Sequence, residues 1–117
     1  MKTTLQTIFY STGVYQHQIA GRIFIDAVIM AAEDPFRLTS ITANIYEPLA
    51  KQYHSNVACI SKNIRDVRNT IMKNGGAGIL MAITGSKRWY AAPPYPNEII
   101  EIFARYIREN HIPCNTL

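Results

Sequence analysis

Apolar residues recur at helical spacing along almost the whole chain, and no segment sustains the alternation of a strand. This periodicity limits the fold more than any other feature, because each apolar stripe must be covered by another helix. Leu5, Ile8 and Phe9 open the series, and Gly13 can close that helix with a left-handed cap. A second helix is expected from about His17 to Ala32. Ile19, Ile23, Ala27 and Met30 line one face, with Phe24, Val28 and Ala31 beside it, a breadth that suits the centre of a core. Pro35 ends it, since proline cannot continue a helix interior.

Ser40, with Thr39 as competitor, is the expected cap of a third helix. Ile41, Ile45, Leu49 and Tyr53 repeat along it, and Pro48 inside the pattern predicts a kink near Asn44 to Pro48. His54-Ser55-Asn56 reads as a polar turn. A fourth helix, capped by Ser55 or Asn56, runs to about Asn74 and stops at Gly75-Gly76. Ala77 to Thr84 reads as a short helix closed by Gly85, and Ser86 to Tyr95 as a loop carrying Lys87, Arg88, Trp89 and Tyr90. Asn97 is the expected cap of a last helix, buried through Ile99, Ile102, Phe103, Tyr106 and Ile107. Glu98 and Glu101 lie early in it and Arg105 and Arg108 late, the order a helix dipole favours. The expected fold class is all-α: a compact bundle of about six helices containing a helix-turn-helix, in a single domain over residues 1–117.

Composition narrows the function. With 48% apolar and 17% charged residues the chain should be globular and without charged tails. Its apolar stretches, such as Ala27 to Ala32, are too short to span a bilayer. Met1-Lys2-Thr3-Thr4 has no apolar run or cleavage site, so no secretory signal is expected. Cys59 and Cys114 lie far apart without a CxxC partner, which argues against a disulfide scaffold and suits a reducing cytoplasm. His17, His54 and His111 lack metal-ligand spacing, and Asp26, Glu33 and Asp34 form no base–nucleophile arrangement. With no phosphate loop, nucleophile elbow or dinucleotide fingerprint either, no enzyme, metal or cofactor is expected.

The net charge of +4 is local. Residues 51–76 hold Lys51, Lys62, Arg65, Arg68 and Lys73 against the single acid Asp66, while the remainder carries seven basic and seven acidic residues. A localised basic stripe is the electrostatic footprint of a nucleic-acid contact, although a solvated helix face gives the same count. Leu49, Ala50 and Tyr53 before the turn, with Ile60 and Ile64 after it, match a helix-turn-helix. Small Ala50 permits a close crossing, and His54 falls where the turn needs a residue tolerant of the left-handed conformation. On the fourth helix Val57, Ile60, Ile64, Val67 and Ile71 gather on one side. Ala58, Ser61, Lys62, Arg65, Arg68 and Asn69 gather on the other. Small residues near the amino end allow close approach to a groove floor, and Arg or Lys can donate to guanine or phosphate. Asn56, Cys59, Lys51, Lys87 and Arg88 complete the candidate DNA-binding set. Cys59, at the helix start, is also a candidate for a lowered thiol pKa, with a passive thiol as the simpler reading.

Taken in order, these residues resemble a known family: the C-terminal effector domain of the bacterial stage-zero sporulation response regulator. Gly13-Val14 with His17, Ile23 and Asp26-Ala27-Val28 is similar to the family's Gly-Val-Pro-Ala-His segment and the helix after it. Ser40-Ile41-Thr42, Ile45-Tyr46, Leu49-Ala50-Lys51 and Tyr53 are similar to its first motif helix. Ile60, Lys62, Ile64-Arg65 and Gly75 follow its recognition helix, and Gly85, Pro94 and Asn97 to Ile100 its C-terminal part. The chain departs from the family where Ala58-Cys59 replace Ser-Arg, Ser61 a base-reading Glu, Lys62 an Arg and Tyr15 a proline. Pro48 is displaced by one place, and Arg65 keeps the family's arginine. The resemblance implies a sequence-specific transcription regulator in the bacterial cytoplasm, with the helix at about 56–74 in the major groove of double-stranded DNA. It implies RNA polymerase sigma factor and a second copy on repeated sites as further partners. The family's receiver domain has no counterpart, so an excised piece or a free-standing homologue without its own phosphorylation switch is expected. The alternative is a protein-interaction module of the same fold that has lost specific reading through Ala58, Cys59 and Ser61.

Overall fold

Seven α-helices and three short 3-10 or π segments account for most of the described residues, and no strand occurs among them. The computed structural model describes residues 5–117. Met1 to Thr4, read above as carrying no secretory signal, lie outside the described residues. The α-helices are α1 (Leu5–Thr12), α2 (Ile19–Glu33), α3 (Glu47–Gln52), α4 (Val57–Lys73), α5 (Gly76–Thr84), α6 (Arg88–Ala91) and α7 (Pro96–Glu109).

The α2 helix is the centre of the bundle, packing most extensively on α7 and α4. Phe9 of α1, Phe24 of α2 and Phe103 of α7 meet edge to face, with ring centroids 5.1 to 6.1 Å apart. Such pairs contribute about 0.5–1.5 kcal/mol each beyond burial, and here they lock three helices at one point. Gly13 ends α1 as expected. At φ 94° it lets Val14 N–H reach back to the Phe9 carbonyl at 2.8 Å, which satisfies the last turn. Gly75 adopts φ 89° between α4 and α5, and Gly85 closes α5.

Several local expectations change. The α2 helix begins at Ile19 rather than His17, and Ile19 is 66% exposed instead of joining the apolar stripe. The close approach at the helix entry is made by Gly21, where an added Cβ would lie 2.3 Å from the Tyr15 carbonyl oxygen. Ser40 caps no helix. The Asp34 carboxylate accepts from Phe36 N–H at 3.2 Å, and the 3-10 segment Pro35–Ser40 runs directly into helical backbone at Ile41. In place of a simple kink, Thr42–Tyr46 forms a π turn, with Glu47 N–H donating to the Thr42 carbonyl. Pro48 explains it: lacking an N–H, it removes the usual donor to the Asn44 carbonyl, and its ring crowds that oxygen. Arg37 Nη1 donates to the Asn44 carbonyl instead, at 2.6 Å.

The expected loop at 86–95 contains α6, anchored by Trp89, which is buried and donates from Nε1 to Thr84 Oγ1 at 2.9 Å. Asn97 is not the cap of α7. Pro96 opens that helix, where a missing N–H costs nothing, and Glu98 Oε1 accepts from Tyr95 N–H at 2.9 Å. Ile100 and Ala104 join Ile99, Phe103 and Ile107 in the core, leaving Ile102 and Tyr106 half-buried at the margin. Arg108 serves a different helix end from its own, donating from Nη1 to the Ala31 carbonyl near the end of α2 at 3.2 Å.

Candidate nucleic-acid interface

Residues 53–56 join α3 to α4 in a tight reversal. His54 takes φ 52°, in the left-handed region. This lets Ser55 N–H donate to the Ala50 carbonyl at 2.8 Å and His54 N–H to the Lys51 carbonyl at 3.3 Å, the same closure that Gly13 gives α1. Histidine is one of the few non-glycine residues that occupy this region, so the local sequence and the turn agree. Of the two expected caps, Asn56 is the one used. Its Oδ1 accepts from Cys59 N–H at 2.9 Å.

Both helices are held from behind. Leu49 and Ala50 of α3 and Ile60, Ile64, Val67 and Ile71 of α4 are buried. At the end of α3, Tyr53 Oη donates to Asp26 Oδ2 of α2 at 2.5 Å, and Gln52 Nε2 reaches the same oxygen at 3.4 Å. Burial, with the hydrogen bond to the Asp26 carboxylate second, raises the Tyr53 phenol above its usual pKa. At the far end of α4, Asn74 Nδ2 donates to the Thr12 carbonyl of α1 at 3.0 Å. The outward face of α4 is therefore carried on a fixed axis.

That face is sorted by position. Asn56, Ala58, Cys59, Lys62, Arg65 and Asn69 are exposed, and Lys51 is exposed on α3. Ser61 and Arg68 are half-buried at the edge of the face rather than on its crest. Lys62 Nζ is 2.9 Å from Asp66 Oδ2, an i,i+4 pair at the surface. Arg68 donates from Nε and Nη2 to Asn69 Oδ1 at 3.1 and 2.8 Å, and from Nη1 to the Pro94 carbonyl at 3.4 Å. The side chains of Lys51, Arg65 and Lys73 make no hydrogen bond or ion pair among the described residues. Arg65 is near enough to Tyr46 to draw its phenol pKa down against the larger upward push of burial.

Lys87 and Arg88 lie at the start of α6, which packs chiefly on α5. Arg88 lies 3.7 Å from Glu98 and stacks 4.6 Å from the centroid of the Trp89 ring, so part of its charge is already met. Sequence reasoning missed Tyr46, Asp26 and the Pro94 carbonyl as supports of the face. No local signal marks them, because their partners lie 19 to 27 residues away in the chain.

A family model described as the sporulation initiation factor Spo0A C terminal matches residues 5–107. No curated protein and no solved structure gives a significant match. No helix among the described residues is long and apolar enough to cross a membrane. With its outward α4 carried on an all-helical scaffold, the chain belongs to the Spo0A C-terminal family of DNA-binding regulatory domains of sporulation initiation.

Proposed function

We propose that the chain is a sequence-specific regulator in which α3, the turn and α4 act as a helix-turn-helix and α4 enters the major groove of double-stranded DNA. One observation carries this reading: the face of α4 opposite the buried Ile60, Ile64 and Val67 bears small residues at its amino end and the uncommitted Arg65 beyond them. Ala58 and Cys59 let the helix backbone approach a groove floor, and Arg65 supplies a planar fork that matches guanine O6 and N7. Lys51 and Lys73 supply charge for phosphates. Neighbouring copies on repeated sites and RNA polymerase sigma factor are the partners the family resemblance proposes, in a bacterial cytoplasm.

The second reading, an interaction module without specific DNA recognition, draws on the pairing of Lys62 with Asp66 and the sideways turn of Arg68. Both reduce the charge offered to DNA. Selection of bound duplexes from a random library at moderate salt separates the two. An enriched motif is expected for the regulator, and uniform weak recovery would favour the module. With Lys51 and Lys73 free for phosphates, log affinity should fall with log salt at a slope of about −2, steepening toward about −3 if Lys62 releases Asp66 on binding. A flat salt dependence would remove the electrostatic basis of the proposal.

A further inference from the structure

Arg68 counts as part of the basic face in the sequence, yet three of its five donors are engaged by the protein itself. Two of them converge on one oxygen, Asn69 Oδ1, at 3.1 and 2.8 Å, and a third reaches the Pro94 carbonyl at 3.4 Å in the segment leading into α7. An amide oxygen has two lone pairs, and this fork takes both. What remains of the Asn69 side chain is its NH₂ group, on an exposed residue of the outward face. An asparagine that reads adenine needs its oxygen and its nitrogen together. Asn69 has only the nitrogen to give, and a donor-only group matches an acceptor-only partner, the phosphodiester oxygen. Its place along the helix agrees. Asn69 lies about 18 Å beyond Val57 at 1.5 Å per residue, and base contacts concentrate near the amino end of a recognition helix.

We infer that Arg68 is a positioning residue, not a DNA contact: it fixes the Asn69 amide with its oxygen turned inward, so that Asn69 meets the DNA backbone as a hydrogen-bond donor. The tie to Pro94 also makes the segment before α7 part of the support for this contact. The inference rests on the reading of α4 as the DNA-facing helix.

The test uses the whole chain and a duplex recovered from the random library, with Arg68→Lys, Asn69→Ala and the double variant. Arg68→Lys keeps the charge and the aliphatic stem but cannot fork onto Oδ1. Each single change is expected to weaken binding about three- to tenfold, the range of one hydrogen bond, for the preferred duplex and for scrambled duplexes alike. The double variant should lose no more than either single one, because both remove the same contact. Additive losses would mean that Arg68 touches DNA itself, and would overturn the inference. A change in preference at one base pair in Asn69→Ala would overturn it too, by showing that Asn69 reads a base. If neither variant alters binding while Arg65→Ala does, this inference fails and the α4 interface stands. If Arg65→Ala is also silent, the α4 interface falls and the inference with it. Thermal melts of all variants, expected close to the parent, separate lost contacts from lost fold.

Discussion

Replacing Arg65 with alanine removes the one guanidinium on the outward face of α4 that has no partner among the described residues. The structure predicts little effect on folding. Arg65 is exposed and faces away from Ile60, Ile64 and Val67, so its loss opens no cavity. Its influence on Tyr46 acts only on a phenol that stays neutral well above neutral pH. Stability should therefore stay within about 0.5 kcal/mol of the parent, the usual range for a surface site. Binding should change far more. A guanidinium forked onto guanine contributes about 1–3 kcal/mol of discrimination, which corresponds to about fivefold to more than a hundredfold in affinity. The loss should fall on the preferred duplex and relax the requirement at one base pair. Lys73→Ala is the control. It deletes the same unit of charge about 12 Å further along the helix, where a phosphate is the only partner within the geometry proposed. Its loss should be smaller, independent of sequence, and visible as a salt slope shallower by about 0.9. Titrating fluorescently labelled preferred and single-mismatch duplexes with each variant reads both effects. Arg65→Lys adds a check: it should leave the base preference relaxed although the charge is kept, since an ammonium cannot fork. Equal, sequence-independent losses for Arg65→Ala and Lys73→Ala would refute the reasoning, because Arg65 would then be a phosphate contact only.

Three further outcomes test the scaffold behind the face. His54→Gly relieves a left-handed residue of about 1–2 kcal/mol but loses part of that to the freer unfolded chain, so urea unfolding should show a gain of about 0.5 kcal/mol. His54→Val, β-branched in the same place, should lose stability, and an unchanged value for it would argue against the turn described. Arg37→Met takes the donor from the Asn44 carbonyl that Pro48 leaves without its usual partner, and should cost about 1 kcal/mol, or about 4 °C in melting temperature for a chain of this size. At high pH, the raised Tyr53 phenol gives stability that is complete below its unfolded pKa near 10 and is lost as pH rises above it. Chemical unfolding from pH 8 to 11 should therefore show a decline that Tyr53→Phe makes shallower, with Tyr46, raised in the same direction, supplying part of what remains.

Much of the scaffold can be read from local sequence. Apolar spacing marks the buried sides of α1 and α4, and Gly13, Gly75 and Gly85 stop helices because left-handed backbone suits glycine. The turn into α4 is equally legible, through His54 in its left-handed position and Asn56 at the cap. These features depend on a few neighbouring residues, so a short window contains their cause. Where two local signals compete, the reading is less secure. Pro96 opens α7 although Asn97 is a good cap type, and at Pro48 a π turn forms in which Arg37, seven residues before Asn44, takes the carbonyl that proline frees.

What the face of α4 offers is decided by tertiary structure. Counting charges treats Lys62, Arg65 and Arg68 as equals, yet one is paired with Asp66, one is free and one is turned toward Pro94. Nothing near Arg68 in the chain announces a carbonyl 26 residues on, just as nothing near Tyr53 announces Asp26 at a distance of 27. Hydrogen bonds and ion pairs act over a few ångströms, so they answer to proximity in space. The sequence by itself determines which residues can donate, accept or be buried. Packing of α2, α4 and the segment before α7 determines which donors are already satisfied, and so which ones remain free on the outward face.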